Sequence, residues 1–179
     1  QGFIGSTQEN HTTTLGREGS DYTAAILSYC CNAESMHIWK DVDGVLTGDP
    51  KKLDNTLKID KLSYSEAIEM TYFGAKVIHP KTIKPLQNKN IPLFVRPFGD
   101  VSKTGTKISA VGEPYYPPIV VVESGQALLN ISVNDFSFVA EHHLSDIFKT
   151  IADLRLKVNM MRNTAISFTI CILYDEQKV

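Results

Sequence analysis

The sequence predicts an α/β fold followed by a smaller β-α-β-β module, and three observations carry that prediction. Strand-like and helix-like stretches alternate through residues 1–110, the pattern of helices packed on a sheet. The run Gly112-Glu113-Pro114-Tyr115-Tyr116-Pro117-Pro118 then breaks the pattern as a linker would. Beyond it, one strand, one amphipathic helix and two further strands follow in order. The expected organisation is a first domain over 1–110, a linker over 111–124 and a second module over 125–179.

Composition narrows the function classes. With 179 residues, 42% of them hydrophobic, the chain can bury a sizeable core. A net charge of -2, with Lys and Arg scattered, leaves no electrostatic footprint for nucleic acid. No apolar run is long enough to span a membrane, and no basic-then-apolar leader opens the chain. Three cysteines, with Cys30 and Cys31 adjacent on a helix read as buried, make neither a disulfide framework nor a metal site, which fits a reducing cytoplasm. Gln1, already within a strand-like stretch, suggests a piece of a longer chain.

In order, Gly2-Phe3-Ile4-Gly5 reads as a strand end, and a polar turn leads to the loop Thr12–Asp21. Gly16 and Gly19 let that loop turn tightly, and Ser20 or Asp21 is the expected N-cap of a helix Asp21–Cys31 whose apolar residues nearly encircle it. The free N–H groups of such a helix start attract anions. Arg17 offers a fork of donors for a carboxylate or phosphate, and Asp21 suits an ammonium. The same spacing equally fits an ordinary capped helix with Arg17 and Asp21 paired on the surface.

Met36-His37-Ile38-Trp39 reads as a strand ending at Lys40-Asp41-Val42-Asp43-Gly44, and the ends of strands in open α/β sheets are where ligands collect. Asp41 and Asp43 can meet a nucleotide or its magnesium there, or serve plain turn chemistry. Lys51 and Lys52 lie in the following loop, as phosphate contacts or as a solvated face. Ser63 with Glu66 forms a capping box for a helix reaching Phe73, which Gly74 terminates. Lys76 follows on a glycine-started turn, and His79, before Pro80, suits a structural hydrogen bond. A short helix over Thr82–Asn88, a strand over Asn90–Arg96 and a polar run over Gly99–Ile108 complete the domain.

In the second module, Gln126–Val133 alternates as a half-buried strand. Leu144, Ile147, Phe148, Ile151 and Leu154 form one stripe on a helix over Glu141–Leu154, where His142 and His143 read as surface residues. Leu156–Met161 and Ala165–Leu173 read as strands. This β-α-β-β order is most of a ferredoxin-like unit, with one edge left open or covered by another chain.

Four stretches in this order, Gly2-Phe-Ile-Gly, Thr12-Thr-Thr-Leu-Gly-Arg-Glu-Gly-Ser-Asp-Tyr-Thr-Ala-Ala, Ile38-Trp-Lys-Asp-Val-Asp-Gly-Val and Tyr72-Phe-Gly-Ala-Lys-Val-Ile-His-Pro, resemble the aspartokinases. The resemblance implies the carboxyl-terminal half of an amino-acid kinase domain, a carbamate kinase-like three-layer sandwich, followed by an ACT regulatory module. It implies transfer of the ATP γ-phosphoryl group to L-aspartate, with Mg2+, as the first step toward lysine, threonine and methionine. By this resemblance Arg17, Ser20 and Asp21 bind aspartate, while Lys40, Asp41, Leu46, Lys51, Lys76 and Val77 line the ATP site. Ser137, Val158 and Asn159 fall where lysine or threonine acts as effector, and the ACT modules imply a homodimer.

Glu18 stands where the family commonly has glycine, and Leu46 where it commonly has tyrosine. The family's amino-terminal Lys-Phe-Gly-Gly stretch is not in this sequence, so the chain by itself is expected to lack kinase activity. Two other readings share the residues: a non-catalytic amino-acid-binding and dimerisation module, and an amino-acid kinase acting on another small carboxylate. Arg17 with Asp21 favours a zwitterionic substrate.

Overall fold

The computed structural model describes residues 2–134 and 138–174. Strands β1 (Ile4–Ser6) and β2 (Thr12–Thr14) form an antiparallel hairpin and lead into helix α1 (Gly19–Cys30). Then come β3 (Met36–Lys40), β4 (Lys61–Ser63), α2 (Tyr64–Tyr72), α3 (Pro80–Asn88), β5 (Leu93–Pro97) and β6 (Thr106–Ser109). The four later strands make one mixed sheet in the order β3-β5-β6-β4, with β3 parallel to β5, β5 antiparallel to β6, and β6 parallel to β4.

The period of two in β5 explains how this sheet is covered. Leu93 and Val95 are buried among Met36, Ile38, Leu62 and Ile108 of the other strands, and the helices add Ala25, Ala67, Met70, Ile83 and Leu86 to the same cluster. Phe94 and Arg96 point the other way. There Phe94 stacks on His37 at 4.7 Å between ring centres, and the Arg96 guanidinium lies 4.8 Å from the centre of the Trp39 ring. Burial, with the Arg96 charge second, pulls the His37 pKa down.

The capping box forms as its spacing predicts: Ser63 accepts from the Glu66 N–H, and Glu66 accepts from the Ser63 N–H at 2.7 Å. His79 takes its structural role, accepting from the Lys81 N–H at 3.1 Å. That cap starts α3 at Pro80, two residues before the expected Thr82, which leaves Pro85 inside the helix rather than near its start. Strands β4 and β6 go beyond the sequence reading. They are three and four residues long, too short for a visible period, and pairing defines them.

Two expectations for α1 need correction. It is not covered all round: Ile26, Leu27 and Tyr29 are exposed, and Cys30 and Cys31 are exposed rather than buried. Apolar residues around a helix show that it can be covered; only neighbours decide whether it is. Its N-cap is Glu18, not Ser20 or Asp21, with no side-chain capping bond. The turn closed by Gly19 N–H on the Gly16 carbonyl at 3.0 Å starts the helix earlier than the side chains suggest.

Residues 113–122 are a strap on the first unit, which extends to Val122. Tyr116 and Ile119 pack against its core, and the Tyr116 hydroxyl donates to Glu66 Oε1 at 2.6 Å. Burial raises the Glu66 pKa, but hydrogen bonds from Tyr116 and Ser63 outweigh it and leave the group below the usual carboxylate range. Burial, then the bond to Glu66 and its charge, push Tyr116 up to about 12.

The second unit, from Glu123 onward, contains β7 (Gln126–Ser132), α4 (Glu141–Asp153), β8 (Val158–Asn163) and β9 (Ser167–Leu173). Its antiparallel sheet has the order β7-β9-β8, the ferredoxin-like arrangement that β-α-β-β connectivity favours. Phe168, Ile170 and Ile172 on the central strand are buried against Leu144, Ile147 and Ile151. His143 is less peripheral than expected, since its Nδ1 accepts the Ala140 N–H at 3.2 Å at the helix start.

Thr106 has no exposed surface; its hydroxyl accepts the Val45 N–H at 2.7 Å and donates to the Ile59 carbonyl at 2.6 Å. Thr106→Val is therefore expected to lower stability by about 1–3 kcal/mol in urea unfolding, with Thr106→Ser recovering most of the loss. The strap contact predicts a pH dependence. The lowered pKa of Glu66 contributes stability that is present above the ordinary value of 4.5 and lost as pH falls through the folded-state value. Glu66→Gln should flatten that acid limb. The Tyr116 contribution is complete below pH 10.0 and lost as pH rises through about 12, so Tyr116→Phe should remove the alkaline limb from the same melting-temperature profile.

Candidate functional site

The site is built where the start of α1 meets the carboxyl end of β3. Leu15 N–H donates to the Phe3 carbonyl at 2.8 Å, which seats the Thr12–Asp21 loop on β1, and Gly19 is buried beneath it. A Cβ at Gly19 would lie 2.9 Å from the Phe3 ring, so the close approach requires glycine. Helix geometry leaves the first-turn N–H groups of Ser20 and Asp21 without intrahelical partners. This is an anion-attracting end, and Arg17, exposed beside it, has no hydrogen bond or ion pair among the described residues.

Asp21 does not pair with Arg17. Its Oδ2 accepts from Lys40 Nζ at 2.8 Å, with the two side chains 17% and 27% exposed. The surface-pair reading of the loop is thereby replaced: Arg17 stays open, and Asp21 is tied to the last residue of β3. Asp41 follows Lys40, exposed and unpaired among the described residues. Asp43 forms an ion pair with Lys103 at 2.9 Å, and that bond, with the Asp43 charge, raises the Lys103 pKa.

The remaining sequence-derived positions are distributed around the same unit. Leu46 is half-buried and bridges Lys58 in antiparallel fashion. Lys51 is exposed, its N–H donating to Asp49 Oδ1 at 2.9 Å, and Lys76 is exposed after Gly74, while Val77 packs on the core. In the second unit, Val158 packs against the buried cluster and Asn159 sits at an irregularity of the β8–β9 pairing, its Nδ2 donating to Gln126 Oε1 at 2.5 Å. Ser137 lies outside the described residues.

A family model described as the amino acid kinase family matches residues 1–97. The chain belongs to the amino acid kinase family. The chain is 36% identical over 176 residues to lysine-sensitive aspartokinase 3 of Escherichia coli, across 96% of the chain and 38% of that protein. It is 37% identical over 185 residues to the chloroplastic bifunctional aspartokinase/homoserine dehydrogenase 2 of Arabidopsis thaliana, across 99% of the chain and 20% of that protein. The chain thus spans from a fifth to under two fifths of the length of these relatives. Among solved structures, E. coli aspartokinase III in complex with aspartate and ADP matches with a TM-score of 0.79 at 36% identity, over 98% of this chain and 39% of that one. The same enzyme in complex with lysine and aspartate matches at 0.76 and 35%, over 96% and 39%.

Sequence reasoning gave no role to two residues that bond to this part of the unit, Lys103 to Asp43 and Thr106 to Val45 and Ile59. Both lie in the run Gly99–Ile108, whose only sequence signal was a polar, glycine-punctuated texture. The position of Glu18 is informative in the other direction. Its φ of 56° is left-handed, the conformation that makes glycine the usual residue there, and its Oε2 is buried without a partner. Glu18→Gly is expected to stabilise the chain by about 0.5–1 kcal/mol, measured by urea unfolding, because removal of backbone strain outweighs the added freedom of the unfolded chain.

Proposed function

We propose that the chain is a segment of an aspartokinase, whose parent transfers the γ-phosphoryl group of ATP to the β-carboxylate of L-aspartate and forms 4-phospho-L-aspartate. The observation that carries this reading is the Asp21–Lys40 contact, which joins an anion-attracting helix start to the ligand-collecting end of β3. The relatives named for aspartate and ADP complexes support it. Arg17 takes the substrate carboxylate, Asp21 faces its ammonium, and Ser20 adds a hydroxyl at the helix start. Lys40, Asp41, Leu46, Lys51, Lys76 and Val77 serve the nucleotide. A carboxylate nucleophile is already ionised, so the side chains need only position it and offset charge.

Magnesium supplies charge neutralisation when bound with the nucleotide. Among the described residues no three metal-ligating side chains converge, so in this reading the ion enters with the phosphates, and Asp41 is the open carboxylate available to it. No helix among the described residues is long and apolar enough to cross a membrane, and a cytoplasmic enzyme is proposed. The second unit is proposed to be an ACT module that forms a homodimer and binds lysine or threonine near Val158 and Asn159.

Arg17→Ala is expected to weaken L-aspartate binding about tenfold or more in calorimetric titration of the parent protein, with Arg17→Lys intermediate. Unchanged aspartate heat would remove Arg17 from the site. Heat from lysine or threonine without any from nucleotide would favour the non-catalytic module instead.

A further inference from the structure

Besides the start of α1 and the 41–60 loop, a third segment stands at the carboxyl end of β3: the turn over 98–105 that joins β5 to β6. Strand β3 runs parallel to β5 with Lys40 opposite Pro97, and the Phe98 N–H donates to the Lys40 carbonyl at 2.7 Å. The turn therefore begins beside the last residue of β3.

Its sequence is polar and glycine-punctuated, yet its backbone is held at several points. Arg96, whose guanidinium lies against Trp39, donates from Nη2 to the Val101 carbonyl at 2.8 Å and from Nε to the Lys103 carbonyl at 3.1 Å. Asp100 Oδ1 accepts the Ser102 N–H at 3.0 Å and the Ser102 hydroxyl at 2.6 Å, and the Asp100 carbonyl accepts the Lys103 N–H at 3.3 Å. Both backbone groups of Lys103 are thereby fixed. Its Nζ reaches Asp43, three residues past the end of β3, at 2.9 Å. An exposed turn already ordered in this way costs a ligand less to engage.

Two lysines meet aspartates around this strand end, and they differ in how readily they can change partner. Lys40 and Asp21 are 27% and 17% exposed, and separating them leaves partly desolvated charges behind. Lys103 and Asp43 are 50% and 55% exposed, where an ion pair contributes little against water and gives way to a stronger partner. A polyphosphate is such a partner, because it sets several negative charges against the single charge of Asp43. Of the two, Lys103 is the cation free to move to an incoming anion.

We propose that Lys103 is a phosphate-binding residue of the nucleotide site, held by Asp43 in the free protein and turned from that carboxylate to a nucleotide phosphate on binding. This rests on the reading of the β3 end as the nucleotide side. Arg96 and Asp100 are positioning residues that fix the turn. Asp43 competes with the nucleotide for Lys103.

Calorimetric titration of MgATP into the parent protein tests the assignment. Lys103→Ala should weaken MgATP binding by roughly tenfold or more, the effect of losing one hydrogen bond between charged groups, and Lys103→Arg should retain most of the affinity. Asp43→Asn removes the competitor and should leave MgATP binding as tight as in the unaltered protein or tighter. L-aspartate binding should be unchanged in all three variants. The contrast between the two single losses is the decisive readout: if the ion pair serves only to hold the 41–60 loop, Lys103→Ala and Asp43→Asn break the same contact and weaken MgATP alike, which overturns the proposal. Unchanged MgATP affinity in Lys103→Ala overturns it and leaves the nucleotide reading standing. Equal loss of aspartate and MgATP affinity in Lys103→Ala also overturns it, since the effect would then reach the whole site. No MgATP heat from the unaltered protein overturns the nucleotide reading and this assignment together.

Discussion

One buried hydroxyl holds the 41–60 loop in shape. Thr106 grips Val45 by its N–H and Ile59 by its carbonyl, closing the base of the excursion that carries Leu46, Thr47 and Lys51. Its position depends on Gly105, which has a φ of 68° and whose Cβ, if present, would lie 1.9 Å from the Val95 carbonyl oxygen. Only glycine lets β6 begin so close to β5. In a site without solvent, an unmet donor at Val45 or acceptor at Ile59 costs more than the bond itself contributes, which is why a loop so polar in sequence is anchored so deeply.

The charges of the site divide by exposure. Asp43 and Lys103 are each about half exposed, so their ion pair contributes little to stability and is screened by salt. Asp21 and Lys40 are more enclosed, and separating them leaves a partly desolvated charge on either side. The second pair therefore sets the geometry where α1 meets β3, and Arg17 has no hydrogen bond or ion pair among the described residues.

Legibility in the sequence followed the strength of local signals. The Ser63–Glu66 box, the β3 and β5 runs and the helical stripe of α4 each combine several cues that agree, and they formed with bounds shifted by at most three residues, the largest at the start of β5. β4 and β6 left no trace because strands of three and four residues, most of them polar, are stabilised by ladder partners distant in the chain. Glu18 was visible as a departure from a glycine pattern, but its left-handed backbone and its unpartnered oxygen were not. The stretch 111–124 read as a linker, and the division between the two units falls within it, at Val122 and Glu123. Tyr116 and Ile119 in that stretch also reach the core of the first unit, and no local cue marks that packing.

The sequence by itself determined the α/β class, the change of texture beyond the proline-rich run, the β-α-β-β order and the presence of a helix after the Gly16–Gly19 turn, because these rest on periodicity and turn chemistry within short windows; that Thr12–Thr14 forms β2 rather than loop was not among them. The tertiary structure alone decided that Asp21 meets Lys40 rather than Arg17, that α1 leaves Leu27 and Tyr29 to solvent, and that Thr106 bonds to Val45 and Ile59 while Val120 bonds to Thr47. Each of those is a contact between residues far apart in the chain, and such contacts are selected by packing and by the cost of unmet buried groups, which no local pattern encodes.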